Sequence, residues 1–363
     1  MKTALIICST PYQIMVGILL KNQLFKNGEH IDIALTNTFS GVERIANNIK
    51  KTEMVREVYI IEAASLIRPS NFYEKYKKLK FMLGYSKGVD ELFSGSFAGY
   101  DTVLFNCEEI VLYSLITYNR KLKPDSKVIR YEEGYSSYTE FMSASEKSRK
   151  LISIRNSFLG MGDALHIDAF AVFEPELLIH KYPYSIIQID RSYIHSKQYK
   201  DCIAQIFETK QVVSTYNKRY IVFEESFFRD GYDIDDIELY NRLFKIIGDE
   251  NVSVKLHPRS SKNRFEAFKC DVHVPEGVPW EAILLSGDFT GVCLIALASG
   301  SIINSRLLLG DKTSAFLLYK CLEKRPPALN KEFDLFLNKL LSSKKDSITV
   351  PDDRNELEEL FKI

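Results

Sequence analysis

The sequence predicts an α/β protein with two doubly wound, Rossmann-like domains that face each other across a central cleft. Its 363 residues exceed one ordinary hydrophobic core, so we expect two domains. Short apolar runs alternate with helix-length amphipathic segments, and this alternation predicts parallel sheets with helices on both faces. A second such series begins near Arg219, after a polar segment over about 192–217. We therefore place the domains over residues 1–210 and 211–363.

Each series contains strand-like runs separated by helical patterns. In the first series we expect strands over residues 4–8, 31–35, 55–61, 102–105 and 126–131, and further apolar runs over 169–173 and 185–188. The helices expected there cover about 12–26, 40–50, 72–93 and 109–120. In the second series we expect strands over 220–223, 252–256, 289–294 and 313–317, and helices over 235–247, 280–286 and 302–309. Ligands of doubly wound folds bind at the carboxyl ends of such strands.

Composition narrows the class of protein. The 48 basic and 48 acidic residues give a net charge of zero, so no global field favours nucleic acid as a partner. The apolar run over residues 4–8 is too short for a signal sequence or a membrane span, and the histidines form no HExxH motif. The cysteines show no CxxC spacing, which predicts free thiols in a reducing cytoplasm; they are Cys8, Cys107, Cys202, Cys270, Cys293 and Cys321.

An acidic pair follows the strand expected over 126–131. Glu132 and Glu133 precede Gly134, so both carboxylates are expected at the carboxyl edge of the first sheet. Mutual repulsion raises the pKa of one member of such a pair, which suits it to accept a proton near neutral pH. The alternative is a solvated turn that ends the strand.

A histidine lies at the matching position of the second series. His257 follows the strand expected over 252–256, and Pro258 restricts the backbone beside it. Lys255 and Arg259 flank it, so the imidazole could donate a hydrogen bond to a phosphate in a cationic setting. The alternative is a structural histidine whose hydrogen bonds are satisfied within the protein.

A serine motif precedes the helix expected over 302–309. Ser299, Gly300 and Ser301 would place hydroxyls and backbone N–H groups at a helix N-terminus, which is a phosphate site. A simple N-cap explains the same residues. The spacing matches neither a Walker loop nor GxGxxG.

The first strand-to-helix turn carries a fourth polar group. Ser9, Thr10, Pro11, Tyr12 and Gln13 would face the cleft and contact an acceptor. A Thr10 cap followed by proline at the first helical position accounts for these residues without any function.

A lysine run lies within the helix expected over 72–93. It is typical of a solvated helix face, and the alternative is weak peripheral contact with a membrane, here the inner face of the plasma membrane. The residues are Lys75, Lys77, Lys78 and Lys80.

Several of these motifs resemble those of bacterial sialyltransferases. Tyr131-Glu132-Glu133-Gly134 matches their acidic-acidic-glycine motif, and Lys255-Leu256-His257-Pro258 matches their His-Pro motif. Ser299-Gly300-Ser301 resembles their serine motif, although the family shows adjacent Ser-Ser or Ser-Thr. The segments 9–13 and 170–177 resemble glycosyltransferase family 52, which includes lipooligosaccharide and capsule sialyltransferases.

The resemblance implies a fold, a donor and residue roles. It implies the GT-B fold and metal-independent, inverting transfer from CMP-sialic acid to a galactose-type acceptor, with no other cofactor. Glu132 would be the general base, His257 would hold or protonate the phosphate, and Ser299 and Ser301 would bind that phosphate. A homodimer is also implied. The absence of a DxD-type sequence near a strand end agrees with metal independence.

The residues leave three alternatives open. Asp230, followed by Gly231, is a second acidic-glycine site and a rival base. The same fold could use another donor, such as a UDP-hexose. A non-catalytic glycan- or nucleotide-binding regulator is the rival from another class.

Overall fold

A computed structural model of the chain describes residues 2–67, 69–83, 85–93, 95, 97–106, 110–139, 150, 153–154, 156–157, 166–228, 230–260, 262–274, 276–343 and 348–362. Cys107 and the first residue of the helix expected over 109–120 lie outside the described residues. Two parallel sheets with intervening helices form the α/β architecture that the sequence predicts.

The chain forms two compact units. The first contains Met1–Glu133, Glu140–Pro175 and His180–Phe207, and the second contains Gly134–Thr139, Glu176–Ile179 and Glu208–Ile363. The main change of unit falls between residues 207 and 208, close to the boundary placed after residue 210. Two short segments of the first half also belong to the second unit, a feature that the sequence does not indicate.

The first unit contains a seven-stranded parallel sheet. Its strands are β1 Thr3–Cys8, β2 His30–Thr36, β3 Glu57–Ile61, β4 Thr102–Phe105, β5 Lys127–Tyr131, β6 Ala169–Val172 and β7 Ser185–Gln188, in the spatial order β3-β2-β1-β4-β5-β6-β7. Ile6 of β1 pairs with Ile33 of β2 and with Leu104 of β4. The strand order reverses between β1 and β4, and ligands of doubly wound sheets bind at such a switch point.

The second unit contains a six-stranded parallel sheet. Its strands are β8 Tyr220–Phe223, β9 Val252–Lys255, β10 Asp271–His273, β11 Cys293–Ala296, β12 Ser314–Leu317 and β13 Ile348–Thr349, in the order β10-β9-β8-β11-β12-β13. The switch point of this sheet lies between β8 and β11, whose residues Phe223 and Ala296 pair.

Helices connect these strands. They are α1 Pro11–Leu24, α2 Val42–Lys51, α3 Ala64–Ile67, α4 Phe72–Leu83, α5 Tyr85–Leu92, α6 Ile110–Leu122, α7 Ser136–Thr139, α8 Lys197–Phe207, α9 Thr209–Val213, α10 Asp236–Ile247, α11 Trp280–Ser286, α12 Gly300–Leu309, α13 Lys331–Ser343 and α14 Arg354–Phe361. Turns of 3₁₀ helix cover Pro175–Leu177, Ser192–His195, Asp249–Asn251 and Tyr319–Cys321. In the described part of the chain, no helix combines the length and the apolar character that crossing a membrane requires.

Two predicted elements need correction. The single helix expected over 72–93 is two helices, α4 and α5. A Cβ added at Gly88 would lie 2.5 Å from the Phe81 ring, whereas residues seven apart in one helix are separated by about 10 Å along its axis. The strand expected over 289–294 begins only at Cys293, because Asp288 accepts hydrogen bonds from Thr290 and Gly291 has a φ of 77°.

Aromatic packing explains why the segment 134–139 belongs to the second unit. The Tyr135 ring lies 5.6 Å from that of Phe333, and the Tyr138 ring lies 5.4 Å from that of Phe336, both on α13. Ile179 donates its backbone N–H to the Tyr138 carbonyl at 3.2 Å, which joins the segment 176–179 to the same group.

The described cysteines are free thiols, as predicted. Cys8, Cys202, Cys293 and Cys321 are buried and Cys270 is half-buried. Burial raises the pKa of each of these thiols, so they are protonated at neutral pH. The four buried cysteines therefore act as small side chains of the core.

Candidate active site

In the first unit, Glu132 lies immediately after β5 and is fully buried. Its Oε1 accepts a hydrogen bond from the Tyr12 hydroxyl at 3.1 Å, and its Oε2 accepts the backbone N–H of Phe173 at 2.9 Å. Two donors therefore orient the carboxylate at the carboxyl edge of the sheet, where the sequence places it. Tyr12 lies in the first turn of α1, after β1, so the two sequence motifs meet here.

Glu133 is more accessible than Glu132 and has its own contact with α1. It is half-buried, and its Oε2 accepts a hydrogen bond from Nε2 of Gln13 at 3.2 Å. The Gln13 Oε1 in turn accepts the backbone N–H of Ser9 at 2.6 Å. This chain of hydrogen bonds fixes the turn after β1 relative to the acidic pair.

Thr10 and Pro11 form the helix cap that the sequence offers as their explanation without function. Thr10 is the N-cap of α1 and its hydroxyl accepts the Gln13 N–H at 3.2 Å, with Pro11 as the first helical residue. In this turn, Tyr12 and Gln13 rather than the cap itself contact the acidic pair.

Position 134, in the second unit, requires a glycine. Its φ is 118°, and an added Cβ would lie 2.5 Å from the Asn304 side chain. The Asn304 Oδ1 accepts the backbone N–H of Tyr135 at 3.0 Å. The acidic-acidic-glycine motif therefore ends in a turn that a larger residue would disrupt.

In the second unit, the loop after β9 carries His257. Glu224, immediately after β8, accepts the backbone N–H of His257 at 3.1 Å and also the Ser260 hydroxyl. The Nδ1 atom of His257 accepts the backbone N–H of Arg259 at 3.1 Å. Because Nδ1 is an acceptor, the neutral ring carries its proton on Nε2.

Arg259 is engaged within the same loop. Its guanidinium donates to both carboxylate oxygens of Asp230, at 3.1 and 3.0 Å, and to the Ser226 hydroxyl at 2.5 Å. A hydrogen bond from Ser226, followed by the charge of Arg259, lowers the pKa of Asp230. This geometry favours Asp230 as the anchor of Arg259 and makes it the less suitable proton acceptor.

Lys255 is buried, whereas the sequence suggests a cation that flanks His257 at the phosphate site. As the last residue of β9 it is buried, and burial lowers its pKa. Glu281 on α11 is also buried; burial raises its pKa, and the charge of Lys255 opposes that shift. Lys255 is thus a buried group that interacts electrostatically with Glu281, rather than an exposed cation beside His257.

Sequence reasoning missed a second acidic pair, Glu224 and Glu225, directly after β8. Glu225 accepts the backbone N–H of Ala298, after β11, at 3.2 Å, so it bridges the switch point of this sheet. Burial raises the pKa of Glu225 to about 8, against the opposing effect of the Ala298 N–H. The sequence carries a signal for this pair, because β5 and β8 both end on an aromatic residue that two glutamates follow.

The serine motif opens α12 beside this pair. Ser299 is the N-cap and its hydroxyl accepts the Ser301 N–H at 3.2 Å, while Gly300 is the first helical residue. The cap is therefore present, and the N-terminus of this ten-residue helix still provides the positive end of a dipole. Among the residues that the structure describes, no group of three or more His, Cys, Asp or Glu side chains could hold a metal ion.

Solved structures similar to this chain include glycosyltransferases of low sequence identity. The sialyltransferase from Photobacterium damselae, in its GT-B domain, is 12% identical, with a TM-score of 0.53 and coverage of 96% of this chain and 99% of that one. The spinosyn rhamnosyltransferase SpnG complexed with thymidine diphosphate is 11% identical, with a TM-score of 0.52 and coverage of 100% and 90%. Arabidopsis thaliana UGT89C1 complexed with UDP is 9% identical, with a TM-score of 0.56 and coverage of 100% and 90%.

These similarities and the two parallel sheets define the class: the chain has the GT-B fold of glycosyltransferases, as the sequence predicts. A model of the alpha-2,8-polysialyltransferase (POLYST) family matches residues 4–318. The chain therefore belongs to that family. The resemblance to glycosyltransferase family 52 is not confirmed, and no protein of curated function matches the chain by sequence.

Proposed function

We propose that this protein is a sialyltransferase that moves sialic acid from CMP-sialic acid to a hydroxyl of a bacterial surface glycan, such as capsule or lipooligosaccharide. The family match over residues 4–318 is the observation that carries the proposal. The hydrogen-bonded environments of Glu132 and His257 support it, because each motif lies just after a strand of its own unit.

The donor side of the proposed reaction belongs to the second unit. His257 donates Nε2–H to the phosphate of the donor, and the N-terminus of α12 adds a positive dipole with Ser299 and Ser301. As the bond between the anomeric carbon and the phosphate oxygen breaks, its electron pair leaves with CMP. Donors aimed at that oxygen stabilise the developing charge, and the proposal needs no divalent ion.

The acceptor side belongs to the first unit. The acceptor hydroxyl attacks the anomeric carbon from the face opposite the phosphate, and its proton passes to a carboxylate. We assign that role to Glu132. The Tyr12 hydroxyl donates to its Oε1 at 3.1 Å and would hold the carboxylate in place while the acceptor hydroxyl transfers its proton. Glu133 is the more accessible carboxylate and is the rival within the pair.

The acceptor has two candidates with different support. A galactose-type hydroxyl follows from the motif resemblance, whereas the name of the family, alpha-2,8-polysialyltransferase, indicates a hydroxyl of a preceding sialic acid. Both kinds of acceptor are therefore tested in the same assay. Extension of a sialylated acceptor by more than one residue would identify a polymerising enzyme.

A donor and acceptor screen tests the proposal. The purified chain is incubated with CMP-sialic acid and with galactose-terminated or sialic-acid-terminated oligosaccharides, with and without EDTA, and products are identified by mass spectrometry. UDP-hexoses replace the donor in parallel, and CMP and UDP are compared in thermal unfolding. Sialylated product and stabilisation by CMP are expected. If product formed only with a UDP-hexose, the donor would be that nucleotide sugar instead of CMP-sialic acid.

The non-catalytic alternative is tested by the same variants in the assay and in the cell. Glu132→Gln and His257→Ala should abolish most product formation and most surface sialylation together. A regulator would retain its cellular effect in both variants. The proposal would be overturned if the folded protein showed no transfer and no donor hydrolysis, and if CMP left its thermal unfolding unchanged.

A further inference from the structure

Helix α4 carries an apolar stripe that faces solvent. Phe72 is 86% exposed, Tyr76 58% and Leu79 52%. At 100° per residue these three side chains fall within about 60° of one another around the helix, so they form one continuous stripe. Large apolar side chains that are grouped and exposed in this way mark an interaction surface rather than ordinary surface variation.

The opposite face of α4 is fixed to the first unit. Phe81 is 7% exposed and belongs to the main hydrophobic cluster of that unit, where its ring packs against Gly88 of α5. Phe81 lies about 180° around the helix from Phe72. Helix α4 thus packs against the first unit through the face opposite the stripe, and the stripe itself remains exposed.

Lysines flank the stripe on both sides. Lys75 precedes it around the helix, and Lys80 and Lys77 follow it, all exposed. The single carboxylate of α4, Glu74, accepts the Ser70 N–H at 2.6 Å and its hydroxyl at 2.8 Å, just before the helix begins. The accessible face therefore combines aromatic and aliphatic side chains with an excess of positive charge.

We propose that α4 is a membrane-docking helix that lies in the interface of an anionic lipid bilayer. Aromatic and leucine side chains enter the boundary between headgroups and acyl chains, while lysines extend to anionic headgroups. Charge complementarity selects this occupant over a second copy of the chain, because two copies packed stripe to stripe would bring like charges together. The proposal is independent of the transferase activity, since it concerns only binding to lipid.

Vesicle binding by the full chain tests this proposal. Sedimentation is compared for vesicles of phosphatidylcholine alone and of phosphatidylcholine mixed with phosphatidylglycerol. Binding is expected only to the anionic vesicles and is expected to weaken with salt. Each lysine near a charged surface strengthens binding about fivefold, so Lys75→Glu with Lys80→Glu should weaken it more than tenfold.

Matched variants separate docking from general surface effects. Leu79→Ser removes a stripe residue that is 52% exposed, and Leu335→Ser on α13 removes one that is 57% exposed. Lys200→Glu with Lys210→Glu changes two exposed lysines outside α4. Only the α4 variants should lose binding, and thermal unfolding should show that all of them are folded.

Two outcomes would overturn the proposal. One is equal loss of vesicle binding in the α4 variants and in the matched controls. The other is no vesicle binding by the unaltered chain, with a dimer in sedimentation velocity that Leu79→Ser dissociates, because the stripe would then be an interface between copies.

Discussion

The Glu224 carboxylate accepts the backbone N–H of His257, with 3.1 Å between Oε2 and N. The same oxygen accepts the Ser260 hydroxyl, so one buried side chain of the loop after β8 holds both ends of the His257 loop. A buried carboxylate used in this way positions a neighbouring residue and need not contact substrate itself.

Replacing Glu224 by alanine should therefore affect both stability and turnover. The change leaves two donors without their acceptor, at a cost of about 1–3 kcal/mol in the free energy of unfolding. Because His257 loses its fixed direction, kcat should fall at least about tenfold, whereas Glu224→Gln retains one acceptor oxygen and should restore part of kcat. Urea unfolding and steady-state kinetics measure the two effects. Full turnover in a correctly folded Glu224→Ala protein would contradict the positioning role.

The acidic pair after β5 gives a second prediction, about the identity of the base. Removing a general base costs about 10²–10⁴-fold in turnover, so Glu132→Gln should lose activity on that scale while still binding CMP. Glu133→Gln should lose less, since glutamine keeps an acceptor oxygen for the hydrogen bond from Gln13 and Glu133 is not the proposed base.

Tyr12→Phe separates orientation from proton transfer in the same pair. It removes the hydroxyl that donates to Glu132 and leaves the carboxylate in place, so we expect a smaller loss of kcat than in Glu132→Gln. Single-turnover rates of the three variants rank the roles. A severe loss in Glu133→Gln with turnover retained in Glu132→Gln would move the assignment of the base to Glu133.

Gly134 provides a third prediction, about stability. Gly134→Ala forces a side chain onto a backbone with a φ of 118° and against Asn304 at 2.5 Å, so both strain and a steric clash are expected. Gly28→Ala is the matched control, because Gly28 has a φ of 77° and nothing within 4 Å of an added Cβ. Chemical denaturation should show a larger loss for Gly134→Ala than for Gly28→Ala. Equal losses would mean that the contact with Asn304 is relieved at no cost.

The sequence predicts the central strands well because buried parallel strands are apolar on both faces. The strand expected over 220–223 coincides with β8, and that over 4–8 lacks only Thr3 of β1. The edge strands β10 and β13 were missed for the same physical reason. They are two or three residues long, partly exposed and in part polar, so no apolar run marks them.

The candidate site was predictable in position but not in its contacts. Strand ends place Glu132 and His257 at sheet edges, which a pattern of apolar runs can show. The pairing of Asp230 with Arg259 joins loop side chains 29 residues apart, and no local periodicity specifies it. The bridge from Glu225 to Ala298 depends on the order of strands in the sheet, which requires the tertiary fold.

Glu225 gives the last prediction, on pH dependence. Its pKa is raised from 4.5 to about 8 in the folded chain, mainly by burial, so between these values the folded state binds a proton that the unfolded state has released. The free energy of unfolding should therefore fall as pH rises from 4.5 to about 8, by at most about 1.4 kcal/mol for each pH unit from this group.

Glu225→Gln isolates this contribution, because glutamine keeps an acceptor oxygen for the Ala298 N–H and does not ionise. Relative to the unaltered protein, the variant should gain stability progressively from pH 4.5 to about 8, and the difference should then stay constant. Urea unfolding across this range measures it, with Glu358→Gln as a control at a partly exposed site outside the switch point. A difference that is constant throughout would show that the folded chain holds Glu225 ionised, in which case its carboxylate would carry a negative charge beside the N-terminus of α12.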